Sequence, residues 1–273
     1  MRPLFLALFL LLAPALAGQG YVLFAAGDIA TCRGQGDEAT ARLIEQTAPK
    51  AAPWAVLALG DLAYPWGTPG EFSGCYHPSW GRFFDRTLPV PGNHDYYTPR
   101  AAGYFGYFKQ RAHPPRGYYR AELGGWSLYA LNTNLPLKPG SAQFRWLQAE
   151  LKKDKNRCKL AFMHHPRFSS GVHGDDTRLA PLWALFGRQR LALVLAGHDH
   201  DYERIEAGGP IQFVVGTGGA PLRRVKERRP GSKKIVAGTH GVLELTLRPA
   251  GFRFRFIDVE GRVRDAGEGS CAP

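Results

Sequence analysis

Five short strings hold the side chains of this sequence that could bind metal ions. They are Gly27-Asp28, Gly60-Asp61-Leu62-Ala63-Tyr64, Gly92-Asn93-His94-Asp95, Met163-His164-His165-Pro166 and Gly197-His198-Asp199-His200. Together they supply carboxylate, phenolate, amide carbonyl and imidazole groups, which are ligands for hard divalent and trivalent cations. Two such cations held close together can clamp the attacking and leaving oxygens of an in-line phosphoryl displacement. The strings therefore indicate metal-assisted phosphoryl transfer.

Each string follows or closes a stretch with the apolar pattern of a buried strand. These stretches lie at 21–26, 54–59, 88–90, 159–163 and 191–196. Between the first two, residues 37–47 carry apolar side chains at helical spacing, so the unit is βαβ and its two strands should be parallel. The carboxyl ends of strands are where open α/β sheets build their sites, so we expect the five ends to converge on one cleft.

The rest of the chain continues this alternation and becomes β-rich towards the end. We predict a hairpin at Gly124-Gly125, and helices at 141–152, with Ser141 as N-cap, and at 179–186. Further strands are predicted at 211–215, 242–247 and 252–259. Residues 63–80 are interpreted as a loop over the site, and the aromatic stretch 99–115 as either a lid or plain packing. Strands from both halves flanked by helices imply an α/β fold, a four-layer α/β/β/α sandwich with two mixed β-sheets.

The N-terminal residues 1–17 have the pattern of a cleaved signal peptide. Arg2 precedes an apolar run at 4–13, and Ala15-Leu16-Ala17 offers small residues for cleavage. The run is too short to span a bilayer, although an uncleaved membrane anchor remains the alternative. We therefore expect a secreted or periplasmic protein with a single catalytic domain at 18–273 and no transmembrane segment in the mature chain.

The four cysteines agree with export. An even count in an exported protein favours disulfides, and no two cysteines stand at zinc-finger spacing. We favour Cys32 with Cys75, because each lies in a loop just after a strand that ends in candidate ligands, which leaves Cys158 with Cys271. Free buried thiols are the alternative.

The chain is basic, with a formal net charge of +12, and the excess is concentrated at 223–234. This basic segment could steer anionic substrates or hold the protein on an anionic envelope. The alternative is a solvated, mobile loop without a partner. No aromatic residue interrupts the segment, so we expect no specific binding of nucleic acid.

In this order, the five strings resemble those of the calcineurin-like metallophosphoesterases. Tyr64, three residues after Asp61, resembles the tyrosine that marks the purple acid phosphatase branch. The resemblance covers roughly residues 21–259. It departs at Ile29-Ala30, where many relatives have another glycine, and no separate N-terminal β-domain precedes the catalytic part, which favours the small, single-domain form of the family.

This resemblance implies two metal ions that share Asp61, whose carboxylate can bridge two cations. An Fe³⁺ ion would be bound by Asp28, Asp61, Tyr64 and His200. A divalent ion, Fe²⁺, Zn²⁺ or Mn²⁺, would be bound by Asp61, Asn93, His164 and His198. Two carboxylates and a tyrosinate leave such a pair with a net positive charge, which suits a phosphate anion.

The function implied is that of an exported acid phosphatase, which hydrolyses small phosphate monoesters by attack of a metal-bound hydroxide. His94 and His173 are the candidates for protonating the leaving group, and Asp95 is expected to fix the tautomer of His94. Two alternatives stay open: a phosphodiesterase on the same metal core, and a non-catalytic metal-binding or adhesion module.

Overall fold

The computed structural model describes residues 20–225 and 227–271, so the predicted signal peptide at 1–17 lies outside the described residues. The strands are β1 (Tyr21–Ala26), β2 (Ala30–Thr31), β3 (Trp54–Leu59), β4 (Ala63–Tyr64), β5 (Thr87–Val90), β6 (Tyr119–Leu123), β7 (Trp126–Ala130), β8 (Cys158–Phe162), β9 (Leu193–Ala196), β10 (Tyr202–Ile205), β11 (Ile211–Val215), β12 (Ser232–Val236), β13 (Gly241–Arg248), β14 (Gly251–Asp258) and β15 (Val263–Ser270). The α-helices are α1 (Gly36–Thr47), α2 (Pro69–Glu71), α3 (Ala102–Phe108), α4 (Ala142–Lys153) and α5 (Ala180–Arg188). In the part of the chain that the structure describes, no helix combines the length and apolarity needed to cross a bilayer.

The strands form two large mixed sheets and one short ladder. The six-stranded sheet has the order β15-β14-β13-β1-β3-β5, and the seven-stranded sheet the order β12-β10-β11-β9-β8-β7-β6. The predicted parallel pairing of β1 with β3 is confirmed, with Leu23 opposite Ala55. The parallel trio β1-β3-β5 and the parallel run β7-β8-β9-β11 supply the strand ends that carry the candidate ligands.

The central strands of the seven-stranded sheet, β7, β8 and β9, bury both of their faces. In β8, Leu160 and Phe162 join the core shared with the six-stranded sheet, whereas Ala161 faces a second core formed with α4 and α5. A strand alternates its side chains between two faces, so this pattern requires a sheet on one side and helices on the other. With α1 packed against the six-stranded sheet, the predicted α/β fold with two mixed sheets is confirmed.

Several connections differ from their prediction as loops. Residues 63–80 contain β4, α2 and a π-helical turn at Phe72–Tyr76. In the basic segment, Ser232–Lys234 belong to β12, an edge strand whose lysines suit an exposed edge. The stretch at 99–115 contains α3, and its Tyr104 and Phe108 are buried in the core, so packing rather than a lid describes it.

Both favoured disulfides, Cys32–Cys75 and Cys158–Cys271, are present in the structure. The first links the loop after β2 to the π-helical turn. The second joins the start of β8, in the seven-stranded sheet, to the residue after β15, in the six-stranded sheet. The disulfides therefore connect elements that the sheet hydrogen bonds do not.

Candidate metal centre

The carboxyl ends of five strands from the two sheets meet at one edge of the sandwich. β1, β3 and β5 end before the strings that contain Asp28, Asp61 and Asn93, and β8 and β9 end before the histidine strings. The sheets are tied together here, because the backbone N–H of Gly27 donates to the carbonyl of Val215 over 2.9 Å. The prediction that the five strings converge is confirmed by this geometry.

The backbone turns sharply at three of the candidate ligands. Asp28, Asp61 and His198 have φ values of 58°, 53° and 74°, in the left-handed region that L-residues other than asparagine, aspartate and histidine rarely enter. Strained backbone of this kind clusters at functional sites. Gly92 is required for a different reason, since a Cβ at that position would lie 2.0 Å from Oδ1 of Asp61.

The first donor cluster contains Asp28, Asp61, Tyr64 and His200. The phenol oxygen of Tyr64 lies 2.8 Å from Oδ1 of Asp28, 3.1 Å from Oδ2 of Asp61 and 3.3 Å from Nε2 of His200. Nε2 of His200 is 3.2 Å from Oδ1 of Asp28. Separations near 3 Å are those of neighbouring ligand atoms that each lie about 2.1 Å from one cation.

The second donor cluster contains Asp61, Asn93, His164 and His198. Nε2 of His164 lies 3.2 Å from Oδ2 of Asp61, 3.1 Å from Oδ1 of Asn93 and 3.2 Å from Nδ1 of His198. The two clusters therefore share a single atom, Oδ2 of Asp61. The other oxygen of Asp61 accepts the backbone N–H of His94 over 2.7 Å, so sharing uses one oxygen rather than two.

The donor atoms suit metal cations, because several hydrogen-bond acceptors face one another with no hydrogen between them. Nδ1 of His164 donates to the carbonyl of Leu59 over 2.9 Å, and Nδ1 of His200 donates to that of Pro221 over 2.7 Å. In the neutral imidazole this leaves Nε2 as an acceptor. Each Nε2 then faces other acceptors, namely carboxylate, amide or phenol oxygens, and one positive ion satisfies them together.

The buried negative charge also favours cations here. Asp28 and Asp61 are buried, and among the described residues neither has a lysine or arginine within salt-bridge distance. Burial lowers the pKa of His164, but the two carboxylates outweigh it and raise that pKa to about 9. Burial, followed by the same carboxylates, raises the pKa of Tyr64 well above its usual value. A phenolate at Tyr64 therefore needs a strong positive charge beside it.

His94 lies at the rim of the clusters, and its partner differs from the prediction. Its Nδ1 donates to the carbonyl of Pro65 over 2.7 Å, and its Nε2 lies 3.9 Å from Oδ2 of Asp61. Asp95 accepts the backbone N–H groups of Asp61 and Gly92 over 3.0 and 2.8 Å. The prediction that Asp95 fixes the tautomer of His94 is therefore wrong. Asp95 instead holds the two ligand turns against each other, and the Pro65 carbonyl orients His94.

His173 lies on the opposite side, beside the second donor cluster. Its ring stacks on that of His198 with centroids 4.0 Å apart, and its Nδ1 lies 2.8 Å from Oδ1 of Asp199. Its Nε2 is 3.0 Å from Nη1 of Arg223. Sequence reasoning missed both partners, although Asp199 lies within the last ligand string and Arg223 begins the basic segment. The prediction that His173 belongs to the site agrees with this position.

The loop that carries His173 is fixed by buried polar side chains. Gln212 accepts the backbone N–H groups of Arg167 and Phe168 over 3.0 and 3.2 Å. Glu203 accepts the N–H and the hydroxyl of Ser170 over 2.8 and 2.6 Å. A cavity of about 370 Å³ opens between this loop and His198. A small anion can therefore reach the second donor cluster from this side.

Residues 21–202 match the calcineurin-like phosphoesterase family. The chain belongs to that family. The family predicted from the five strings is thus confirmed, and purple acid phosphatases are among the relatives. Purple acid phosphatase 21 of Arabidopsis thaliana is 30% identical over 116 residues, which cover 37% of this chain and 26% of that protein. Phosphoenolpyruvate phosphatase of Allium cepa is 25% identical over 248 residues, which cover 73% of this chain and 50% of that protein.

Solved structures show the same fold at low sequence identity. A purple acid phosphatase, PPD1, from yellow lupin seeds aligns with a TM-score of 0.74 and 18% identity, covering 92% of this chain and 53% of that one. GAP50, described as the anchor in the inner membrane complex of Plasmodium, also aligns with a TM-score of 0.74, at 15% identity over 93% of this chain and 90% of that one. The chain spans half or less of the length of the curated relatives it matches.

Within this calcineurin-like phosphoesterase, the seven predicted metal ligands fall into two clusters that meet. Oxygen and nitrogen atoms of Asp28, Asp61 and His164, drawn from both clusters, lie within 4.8 Å of one another. Two cations bound side by side in these clusters could contact the same small anion.

Proposed function

We propose that this chain is a two-metal acid phosphatase that hydrolyses phosphate monoesters. Fe³⁺ is assigned to the first donor cluster, because Tyr64 supplies the phenolate that only a strongly charged cation stabilises. A divalent ion, Fe²⁺, Zn²⁺ or Mn²⁺, is assigned to the second. The observation that carries the proposal is Oδ2 of Asp61, which lies within 3.2 Å of a donor atom in each cluster.

The cations, when bound, supply Lewis-acid activation of the phosphoryl group and of the attacking water. The remaining chemistry belongs to side chains. Because Nδ1 of His94 donates to the Pro65 carbonyl, a protonated His94 carries its second proton on Nε2, towards the cleft. We assign the protonation of the leaving oxygen to His94.

His173 is assigned a different task. Its Nδ1 bonds the Asp199 carboxylate, and its Nε2 accepts from Arg223, so that nitrogen has no proton to give while the Arg223 contact is made. A guanidinium beside the second donor cluster can bind a phosphoryl oxygen, since arginine is a strong phosphate ligand. His173 then orients Arg223 for the substrate, and Asp199 orients His173.

The test compares turnover of phenyl phosphate with that of diphenyl phosphate, before and after chelation, with metal content measured on the same samples. We expect the monoester to be the better substrate, turnover to fall with metal content, and restoration by Fe³⁺ plus a divalent ion. Iron bound at Tyr64 should give a visible absorption band that Tyr64→Phe removes. Full turnover by the metal-free protein would contradict the proposal, and a preference for the diester would favour a phosphodiesterase.

We also propose that the protein is exported. The two disulfides support this, because such bonds persist in oxidising compartments. The signal peptide at 1–17 stays a prediction. Amino-terminal sequencing of protein recovered outside the cytoplasm should begin at residue 18, and an intact Met1 on that protein would contradict cleavage.

A further inference from the structure

Two exposed aromatic side chains stand together at the mouth of the cleft. Among the described residues, the large hydrophobic side chains that are highly exposed are Trp66 at 58%, Tyr97 at 51% and Val263 at 49%. Trp66 and Tyr97 contact each other, with ring centroids 5.7 Å apart, whereas Val263 lies on the edge strand β15. A single exposed apolar residue is ordinary, but an apolar pair beside a polar site can mark a ligand contact.

The pair is continuous with the donor clusters. The ring of Tyr97 lies 4.6 Å from that of His94, and the ring of His94 lies 4.4 Å from that of Tyr64. Tyr64, His94, Tyr97 and Trp66 therefore form one row of rings, which we call the aromatic row. It begins at the first donor cluster and ends in solvent.

The backbone under the exposed end of the row is fixed. The carbonyl of Trp66 accepts the hydroxyl and the N–H of Thr98 over 2.7 and 3.1 Å. The N–H of Trp66 donates to Glu71 over 3.2 Å, and the N–H of Tyr97 donates to the carbonyl of His94 over 3.2 Å. Because the backbone beneath both rings is held in this way, binding against them loses little backbone entropy.

We propose that Trp66 and Tyr97 form the leaving-group subsite, and that the substrates are phosphate monoesters whose alcohol carries a planar unsaturated ring. This inference rests on the proposed phosphatase function. If His94 protonates the leaving oxygen, the substituent beyond that oxygen lies next to His94, where the aromatic row continues. Planar rings bind aromatic faces by stacking, largely without regard to their other substituents.

The two exposed members of the aromatic row would distinguish two kinds of ring-bearing ester. A ring bonded directly to the ester oxygen, as in an aryl phosphate, reaches Tyr97. A ring separated from that oxygen by a sugar, as in a 5′-nucleotide, extends one position further and reaches Trp66. The two variants Tyr97→Ala and Trp66→Ala therefore respond differently to the two kinds of ester.

The experiment measures kcat/KM of the metal-loaded enzyme and both variants on phenyl phosphate, adenosine 5′-monophosphate and ethyl phosphate. Each variant is compared with the unaltered enzyme on the same ester, so that leaving-group reactivity cancels. We expect Tyr97→Ala to lower the phenyl value and Trp66→Ala the adenosine value by about 3- to 10-fold, with less than about 2-fold change for ethyl phosphate. Trp66→Phe should retain most of the activity, and the control Val263→Ser should change none of the three.

Equal losses on all three esters would show a structural role and overturn the proposal, as would no loss on either ring ester. A loss greatest for ethyl phosphate would also overturn it, because that pattern reports a disturbed proton donor. A selective loss on only one ring ester assigns the subsite to that source.

Failure of the proposed function is a separate result, namely no metal-dependent turnover of any ester by the unaltered protein. Saturation-transfer NMR with adenosine and with phenol then decides the subsite without catalysis. Saturation transferred from the unaltered protein to the ring protons would support it, provided that Trp66→Ala abolishes the transfer to adenosine or Tyr97→Ala the transfer to phenol. No transfer to either ring would overturn it.

Discussion

Asp61 is the side chain on which both donor clusters depend. Its Oδ2 lies 3.1 Å from the Tyr64 phenol and 3.2 Å from Nε2 of His164, and the carboxylate is buried. An amide keeps the shape of the group but loses the negative charge that two neighbouring cations require. The effect of removing that charge should therefore extend to both clusters.

We expect Asp61→Asn to lower metal content by at least one ion per chain and turnover by more than about 100-fold, since even residues that only orient metal ligands contribute 10- to 100-fold. Metal analysis and phenyl phosphate turnover are the measurements. Asp85→Asn, at a side chain that is 92% exposed, is the matched control. Two retained metals with normal turnover would show that the shared ligand lies elsewhere.

The different roles proposed for His94 and Arg223 can be distinguished by comparing esters with good and with poor leaving groups. A proton on the departing oxygen matters for an alkyl ester and matters much less for a nitrophenyl ester, whose leaving group is already stable. We expect His94→Ala to slow ethyl phosphate about 10²- to 10⁴-fold and nitrophenyl phosphate far less, with metal content unchanged. The control is His77→Ala, because that ring contacts Tyr107 away from the clusters.

Arg223→Ala and His173→Ala should instead raise KM by similar factors for both esters, because they act on the phosphoryl group. A loss in His173→Ala confined to the alkyl ester would move the proton-donor role to His173. Equal losses for both esters in His94→Ala would remove the role from His94.

At the level of secondary structure, the buried strands that end at the candidate ligands were predictable, whereas an exposed edge strand was not. The strands that end at ligands were expected within two residues of their observed bounds, because each is almost entirely apolar. β15 was missed, since its Gly-rich and charged sequence lies exposed at a sheet edge, where pairing with β14 rather than burial fixes it. The partner of His94 was missed for a related reason, because the Pro65 carbonyl comes from another loop and leaves no spacing signal.

Asp154 illustrates how the end of a helix is tied to the sheet. It is the C-cap of α4, its carboxylate accepts the Tyr129 hydroxyl from β7 over 2.6 Å, and it lies 3.4 Å from the Arg120 guanidinium of β6. Burial raises the pKa of Asp154, but the Tyr129 hydroxyl, other N–H and O–H donors and Arg120 outweigh it, so the pKa is lowered.

A carboxyl with a lowered folded pKa stabilises the protein above its unfolded pKa of about 3.9 and loses that contribution as the pH falls through the folded pKa. We expect Asp154→Asn to lower the free energy of unfolding by about 2 kcal/mol at neutral pH. The difference should shrink as the pH falls below about 4. Urea titrations at both pH values measure it, with Asp85→Asn as control. A difference that does not change with pH would assign the loss to packing rather than charge.

Over the whole molecule, two kinds of covalent link join the two sheets: the chain that runs from one to the other, and a disulfide. Cys158–Cys271 joins a central strand of one sheet to the residue after the edge strand of the other. Cys32–Cys75 joins two segments next to the first donor cluster. The first of these closes 113 residues of sequence and the second 43, so they should differ in how strongly they restrict the unfolded chain.

In the chain-entropy description, the stabilisation grows with the logarithm of the loop length, to about 5 kcal/mol for the longer loop and about 4 for the shorter. We therefore expect the double variant Cys158→Ser/Cys271→Ser to lose about 1 kcal/mol more free energy of unfolding than Cys32→Ser/Cys75→Ser. Urea unfolding of metal-loaded protein in both variants measures this, and the same titration after chelation separates the contribution of the metals. The loop closed by Cys32–Cys75 contains Asp61 and Tyr64, and Cys32 directly follows Thr31, which pairs with Tyr64. Loss of this disulfide should therefore lower metal affinity as well, whereas loss of the longer one should not. Equal metal affinity in both variants, or a larger loss of stability from the shorter loop, would show that the disulfides act through native contacts rather than through the unfolded chain.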